Sequence, residues 1–448
     1  MATAQAERAA PGLLDAVNRQ VPAESVAVFR IAFGVLVTIA SVRFLARGWV
    51  DTLYLEPANH LTYPGFSWVQ PLPAPFMHLV LVGLAAAGAA IALGWHTRLA
   101  AGAFAVGFAY IELIDAALYL NHYWFITLAA FLLAVLPVNR FWSLDSRAGR
   151  VDAASTVPVG VVWALRAQLA IVYLCAGIAK LNPDWILSAE PMATWLADRT
   201  HTPLVGSLLV QPGVAHALSW AGAVFDCTIV FWLSWRRTRR WAYAAVVAFH
   251  TATAMLFQIG MFPWVMILAT PVFFEPDWPT RLVGRRVRPR VRSTTGSAAP
   301  SLHRATVVGL LLLAVLEVVL PLRHLVIPGD VRWNEGGYYG SWRVMLTEKG
   351  GSARFRVTDP ASGETWEVDP QLVLTDWQAA QAAVRPDLLL ATAHLVAEHY
   401  EQRVEVRADA WMSMNGSEAV RVVDPELDLT TVTRTSGPWW VEDPPDTH

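Results

Sequence analysis

The chain has 448 residues, of which 55% are hydrophobic and only 16% are charged. An average protein is about one quarter charged, so this composition excludes an ordinary soluble domain and indicates a membrane protein. The formal net charge of -2 gives no overall attraction for polyanions, so nucleic acid is not an expected partner.

The predicted elements begin with an N-terminal segment, residues 1–25, which has no cleavable signal pattern. Apolar segments follow as far as residue 328, and most approach the ~20 residues that a helix needs to cross a bilayer. A shorter one at about 261–275 is broken by Pro263 and Pro271 and is either a ninth span or a re-entrant segment. The other eight predicted spans lie at about 26–46, 76–95, 99–118, 122–138, 159–179, 214–235, 241–257 and 305–326.

The distribution of arginine favours nine spans. Cytoplasmic loops are enriched in Lys and Arg, and the basic runs "RRTRR" (236–240) and "GRRVRPRVR" (284–292) fall on one side only if segment 261–275 crosses. We therefore predict a multi-pass protein of the cytoplasmic (inner) membrane with a cytoplasmic N-terminus. Residues 329–448 are then outside the cytoplasm.

Residues 329–448 are predicted to form an extracytoplasmic α+β domain. "ARFRVTD", "ETWEVD" and "VEVRADAWMSMN" alternate as strands do, residues 376–402 have a helical composition interrupted near Pro386, and the tail "EDPPDTH" is expected to be disordered. The predicted fold class is mainly α: a polytopic helical bundle at 26–328, with this domain after it. No internal repeat is visible, which disfavours a secondary transporter.

Polar residues inside the fifth predicted span indicate a site between helices. Arg166, Tyr173 and Lys180 are spaced seven apart, so they share one helix face. Ionisable groups in spans are costly and need protein partners or a cavity. Arg166 is either a structural ion-pair partner of Asp226 or Glu112, or part of the site. Lys180, at the span end, is either a snorkelling anchor or a base.

Three further polar residues belong to this predicted site, two of them toward the outer side and His250 somewhat deeper. Asn121 and His122 begin the fourth span, where Asn can cap a helix and His can sit in an interfacial aromatic belt. His250 is either a helix-to-helix hydrogen-bonding group or a ligand-binding one. Together with Lys180 they predict a polar pocket that opens outward.

No metal is expected, because no metal-ligand spacing occurs. Both cysteines, Cys175 and Cys227, lie in apolar segments.

Several motifs, in order along the chain, resemble the vitamin K-dependent gamma-glutamyl carboxylase family, whose bacterial relatives include proteins with a horizontally transferred transmembrane (HTTM) domain. They are "VFRIAFG" (28–34), "NHYW" (121–124), "AGIAKLNPDW" (176–185), "FHTATAMLFQIGMFPWVM" (249–266), "WNEGGYYGSW" (333–342), "DAWMSMN" (409–415) and "RVVDPELD" (421–428).

The resemblance implies roles for individual residues. Lys180 corresponds to the initiating base, and His122 with Asn121 to the pair that assists at the quinone. His250 matches a histidine of a later span. Tyr173 and Arg166, which share a helix face with Lys180, complete the predicted quinone side. The residues implied on the glutamate side are Trp333, Tyr338, Trp342 and Arg421.

The implied reaction is oxidation of reduced vitamin K or menaquinol to its epoxide by O2, coupled to carboxylation of glutamyl residues with CO2, a carbon–carbon lyase or ligase activity. The implied partners are the lipid bilayer, the quinol and a glutamate-containing exported peptide. Thr347 replaces a histidine of the family, and the disulfide of animal members is not possible here. Two alternatives stay open: a quinol epoxidase or oxidase without peptide carboxylation, and a non-enzymatic quinone-binding or transport protein.

Overall fold

The computed structural model describes residues 12–203, 205–257, 259–284 and 299–444. Six helices within them are long and apolar enough to cross a membrane. They are α2 (Glu24–Ala46), α3 (Ala74–Leu93), α4 (Thr97–Ile114), α7 (Val159–Ala179), α10 (Val214–Ser234) and α14 (Arg304–Leu322).

Three other helices coincide with the remaining predicted spans. They are α5 (Asn121–Val135), α11 (Arg239–Leu256) and α12 (Phe262–Ala269), and a 3-10 turn at Thr270–Phe273 extends the last. The predicted segments are thus helical, and the number of nine crossings stays a prediction. The basic run after Gly284 and the tail from residue 445 lie outside the described residues.

Short elements connect the long helices. Strand β1 (Gln20–Pro22) pairs with β2 (Thr156–Pro158) in an antiparallel ribbon. A π-helical turn, Asp184–Ser188, follows α7 after a link of four residues, 180–183. The short helices are α1 (Leu13–Asn18), α6 (Leu144–Arg147), α8 (Met192–Ala197), α9 (Gly206–Leu209), α13 (Trp278–Val283) and α15 (Val331–Asn334).

The C-terminal part is an α+β unit, as predicted. Its sheet has the order β4-β3-β5-β6 and is antiparallel throughout, with β3 (Lys349–Thr358) at the centre beside β5 (Glu405–Met414). Strand β4 is Thr365–Val368 and β6 is only Val420–Arg421. One face of β5 is buried at every second residue, and helices α16 (Asp376–Val384) and α17 (Pro386–Glu398) contribute to the core beneath it.

The break between α16 and α17 has a local cause. Proline cannot donate the backbone hydrogen bond that a helix interior requires, and it is well tolerated at the first helical position. Pro386 accordingly begins α17, while Arg385 between the helices is extended. The predicted fold class, a helical membrane bundle followed by an α+β unit, is therefore confirmed.

Candidate active site

An apolar cavity of about 90 Å³ lies next to Lys180, between α7, α10, α11 and α12. Val344 and Met345, from the chain just before β3, contribute to its wall. Most of the lining is aliphatic or aromatic. The polar side chains that line it include Tyr173, Lys180, Asp226 and His250.

Lys180 caps the C-terminal end of α7 and forms a buried ion pair. Its Nζ lies 3.0 Å from Oδ2 of Asp226 on α10, and both side chains are 8% exposed. Nζ also approaches the carbonyl oxygen of Ala176 at 3.4 Å and lies 5.3 Å from the ring centre of Trp185. A snorkelling lysine would carry its ammonium to water, so the buried ion pair disfavours the anchor interpretation.

Gly177 allows α7 and α10 to approach closely at this point. A Cβ atom on Gly177 would lie 2.6 Å from the backbone nitrogen of Cys227 and 2.9 Å from the carbonyl carbon of Asp226. Small residues allow such close backbone contacts between membrane helices. Gly177, one turn before Lys180, therefore lets α7 and α10 come close enough for Lys180 and Asp226 to form their ion pair.

Tyr173 and His250 form the deeper polar pair of the cavity. The Tyr173 hydroxyl lies 3.0 Å from Nε2 of His250. The other ring nitrogen of His250, Nδ1, is buried and has no hydrogen-bond partner among the described residues. Buried polar atoms normally have a hydrogen-bond partner. Because His250 lines the cavity, its Nδ1 can form the missing hydrogen bond with a ligand bound there.

A second, polar cavity of about 230 Å³ lies in the C-terminal part. The charged residues that line it are four cations and two anions: Arg332, Arg343, Lys349, Arg385, Glu335 and Glu348. Lys349 pairs with Glu335 and donates to the carbonyl oxygen of Trp333 at 3.0 Å. Burial lowers the pKa of Lys349, while Glu335 opposes that shift. Burial raises the pKa of Tyr338, also in the wall, to about 12.

The two cavities share one wall residue. Met345 lines both the apolar and the polar cavity. Its backbone has a positive φ of 51°, and Trp342 has one of 57°. Residues other than glycine rarely adopt a positive φ. Two such residues within four positions therefore indicate a segment whose backbone conformation is held by the surrounding structure. The segment from Trp342 to Met345 thus separates an apolar site from a cationic one.

The family matches follow the same two-part division. A family model for the HTTM domain matches residues 18–278, more than half of the chain. A second family model, for the vitamin K-dependent gamma-carboxylase lumenal domain, matches residues 302–442. The chain belongs to the vitamin K-dependent gamma-carboxylase family. No solved structure matches it.

Membership of the carboxylase family establishes the general character of the protein. It is a carboxylase-like membrane protein with a domain of the lumenal type, and reduced vitamin K, O2 and CO2 are the general reactants of the family. The apolar helices agree with this character. The individual roles of the residues are not given by the matches and depend on the geometry of the two cavities.

Of the predicted quinone-side residues, Lys180, Tyr173 and His250 lie together in the apolar cavity of this family member, whereas Asn121 and His122 lie behind its wall. The ring of Phe262 stands 5.9 Å from the rings of both His122 and His250. Asn121 donates to the carbonyl oxygen of Arg343 at 3.1 Å and accepts from Tyr119 at 3.2 Å. It does not cap α5, whose N-cap is Leu120.

Arg166 does not reach the apolar cavity. Its guanidinium donates to the carbonyl oxygens of Val272, Phe273 and Phe274, at the end of the turn that follows α12. The predicted ion pair of Arg166 with Asp226 or Glu112 is wrong, because Asp226 pairs with Lys180 and Glu112 accepts a hydrogen bond from Thr127. Arg166 therefore satisfies the free carbonyls of a helix end.

The predicted glutamate-side residues are dispersed. Tyr338 lines the polar cavity, and Trp333 lies behind it with its indole bound to the carbonyl oxygen of Glu442. Trp342 is fully buried in the core of the helical bundle. Arg421 lies at the sheet edge, half exposed, 3.6 Å from Asp409 and over the ring of Trp411. The structure does not bring Arg421 to either cavity.

The cations of the polar cavity and the partner of Asp226 were not predicted from the sequence. Arg343 directly follows the motif "WNEGGYYGSW", and Lys349 comes six residues later, so proximity to the motif was an available signal. Asp226 was recognised as an ionisable residue in a span. Its partner could not be chosen, because Lys180 and Asp226 are on different helices.

Proposed function

We propose that this protein oxidises a reduced naphthoquinone to its epoxide with O2 and couples that oxidation to carboxylation of glutamyl residues with CO2. One observation carries the proposal: an apolar cavity containing the buried Lys180–Asp226 pair and a cationic cavity share the wall residue Met345. The first suits a lipid-soluble quinol and the second suits a carboxylate. Their contact supports a reaction in which the two half-reactions occur next to each other.

Lys180 has the geometry of a general base. A base must be able to lose and regain a proton at its reacting atom, and Asp226 at 3.0 Å can accept a proton from the Lys180 ammonium. The resulting amine can accept the proton of a quinol hydroxyl. When bound, the reduced naphthoquinone and O2 supply the strong base that removes a proton from the glutamyl γ-carbon.

The lining of the apolar cavity is chemically suited to the ring of a quinol. Its aliphatic and aromatic walls exclude water, which protects a strong base from being quenched. Nδ1 of His250 has no partner among the described residues and can hydrogen-bond to a quinol oxygen. Tyr173 orients His250 through the bond to Nε2. These residues would hold and orient the quinol, and Lys180 would take its proton.

The cationic cavity fits a glutamyl side chain. Its lining has four basic and two acidic residues. Arg332 pairs with Asp184 and Asp330, and Arg385 pairs with Asp387. Arg343 forms no ion pair among the described residues, so its guanidinium is the cation most free to bind a carboxylate. Arg343 is anchored by the carbonyl oxygens of Val331 and Gly336, at 2.9 and 2.8 Å. We assign carboxylate binding to Arg343, Lys349 and Arg385, in place of Arg421. The acceptor would be an exported, glutamate-containing peptide, since the cavity belongs to the part predicted to lie outside the cytoplasmic membrane.

Variants of Lys180 test the first half-reaction. Purified Lys180→Ala and Lys180→Arg proteins should both form epoxide from reduced vitamin K or menaquinol about 10²–10⁴-fold more slowly than the unmodified chain, the usual contribution of a general base. Arginine preserves the positive charge but effectively never loses its proton. Small amines should partly restore the alanine variant. Near-normal turnover by the arginine variant would contradict the role of Lys180 as a base.

A second candidate function is quinol epoxidation without peptide carboxylation. It is favoured by Thr347, which lines the polar cavity where the family has a histidine. The two functions are separated by one assay that supplies a glutamate-containing peptide and labelled CO2 and measures both products. Epoxide together with labelled γ-carboxyglutamate supports the coupled reaction. Epoxide alone, across peptides of different sequence, supports the second candidate.

A further inference from the structure

A second apolar cavity lies on the side of α7 away from Lys180. It has a volume of about 170 Å³, compared with about 90 Å³ for the cavity at Lys180. It is formed mainly by α7 and α14, with Val17 and Leu132 contributing from α1 and α5. The two cavities have no lining residue in common, so the second is not an extension of the first.

A carboxyl and a carboxamide group line this α7–α14 cavity. Nε2 of Gln168 on α7 donates to Oε2 of Glu317 on α14 at 2.6 Å, and the two residues are only 4% and 2% exposed. Apart from these two and Trp163, the lining consists of aliphatic residues and one glycine. Neither polar group belongs to the site at Lys180, and neither has another hydrogen bond among the described residues.

The depth of the Gln168–Glu317 pair restricts what can bind. Gln168 is near the middle of the 21-residue helix α7, and Glu317 is past the middle of the 19-residue helix α14. A charged group is costly in the hydrocarbon region, so a phospholipid headgroup would not reach this level. A neutral headgroup with hydrogen-bonding oxygens can bind to an acid–amide pair, and an aliphatic lining suits its hydrocarbon chain.

The cavity also has an opening to the lipid-facing surface. Ala167, Trp163 and Leu311 line it and are exposed on the outside of the bundle. Helix α14 is the least buried of the six long apolar helices, so it packs at the periphery. A ligand can therefore enter from the bilayer.

We propose that the α7–α14 cavity is a second, non-catalytic binding site for a lipid-soluble quinone, whose ring oxygens hydrogen-bond to Gln168 and Glu317. The choice of a quinone among neutral lipids rests on the proposed function, whereas the size, depth and polarity of the site do not. Such a site holds quinone close to α7, the helix that ends at Lys180, and can supply the catalytic cavity or receive its product.

Photolabelling of the full chain in lipid nanodiscs tests this site independently of turnover. The probe is a menaquinone analogue with a photoreactive azide on the naphthoquinone ring, and labelled peptides are mapped by mass spectrometry. We expect label on peptides containing Gln168 or Glu317, in addition to label around Lys180. Excess menaquinone should compete at both places. Ala167→Trp should reduce the α7–α14 label at least tenfold by filling the cavity, and should leave the Lys180 label unchanged.

Two variants of Glu317 distinguish recognition from a merely structural contact. Glu317→Gln keeps the size and a hydrogen-bonding group and should retain labelling, whereas Glu317→Leu should lose it. The inference is overturned if Glu317→Leu labels as well as Glu317→Gln, or if diacylglycerol competes as well as menaquinone. Label at Lys180 alone overturns this inference and leaves the proposed function standing. Absence of label at both cavities counts against the proposed quinone chemistry itself.

Discussion

At the scale of single residues, the pairing of Lys180 with Asp226 is the central observation. Removing one partner of a buried ion pair leaves an uncompensated charge, whereas replacing both by apolar residues is often neutral. The pair is therefore expected to be costly to break but not needed for folding. The base chemistry proposed for Lys180 would give the pair a functional reason to lie in an apolar cavity.

A double-mutant comparison checks this interpretation of the pair. Asp226→Asn should destabilise the protein by about 3–5 kcal/mol, the usual cost of breaking a buried pair, and should reduce epoxide formation. Lys180→Met combined with Asp226→Leu should regain most of the thermal stability in detergent but no activity. If the double variant is as unstable as Asp226→Asn, the pair is a structural requirement of the bundle.

Lys349 leads to a prediction about pH. Its pKa is lowered by burial, so it loses its charge at a lower pH than an ordinary lysine. A charge-assisted hydrogen bond contributes about 1.5–3 kcal/mol, so KM for a glutamyl peptide should rise about tenfold or more as the pH increases through that pKa. Lys349→Arg stays charged and should move this rise to a higher pH. Identical KM profiles for both proteins would exclude Lys349 from carboxylate binding.

At the scale of helices and strands, the crossing of α7 and α10 determines the geometry of the base. Gly177→Ala would bring a Cβ atom to 2.6 Å from the backbone nitrogen of Cys227, so the helices must separate. We expect a loss of about 1–3 kcal/mol in stability from the overpacking. A displacement of about 1 Å at a reacting group can cost roughly 10²-fold in rate, so epoxide formation per folded molecule should fall strongly.

Gly102→Ala on α4 is the matched control for Gly177→Ala. A Cβ atom at Gly102 would meet the Cβ of Ala134 at 4.0 Å, an ordinary contact. Alanine is the better helix former, so stability and turnover should be unchanged or slightly improved. Equal effects of the two substitutions on turnover would show that the close crossing at Gly177 does not position Lys180.

At the scale of the whole molecule, the C-terminal part is tied to the helical bundle at the turn after Lys180. Oδ2 of Asp184 accepts from Arg332 and from Asn415, both at 2.9 Å. Arg332 also donates to Asn182 at 3.0 Å and lines the cationic cavity. The loop that follows the proposed base is therefore bonded directly to the wall of the proposed glutamyl site.

The predicted orientation in the membrane is testable by fusion. A reporter that is active only in the cytoplasm, joined after the exposed residue Asp369, should give no signal, because the arginine-rich loops hold the opposite side in the cytoplasm. The same reporter joined after Arg237, in a predicted cytoplasmic loop, should be active. Activity of the Asp369 fusion would mean that segment 261–275 does not cross, and the prediction of nine spans would fail.

The sequence by itself determined the class of protein, the apolar segments, the strands of the C-terminal part and the motif around Lys180. Each of these depends on residues close together in the chain. Hydropathy over a span, alternation along β3 and β5, and the helix break at Pro386 are local properties, so they can be recognised without contacts.

Only the tertiary structure decided which polar groups meet. Asp226 pairs with Lys180 rather than with Arg166. Lys349 lies in a cationic cavity, and Arg421 lies at an exposed sheet edge. These outcomes depend on how helices cross and how the C-terminal part docks, because contacts between different elements are set by packing. Spacing along one helix shows which face a residue occupies, and the neighbouring element determines what that face contacts.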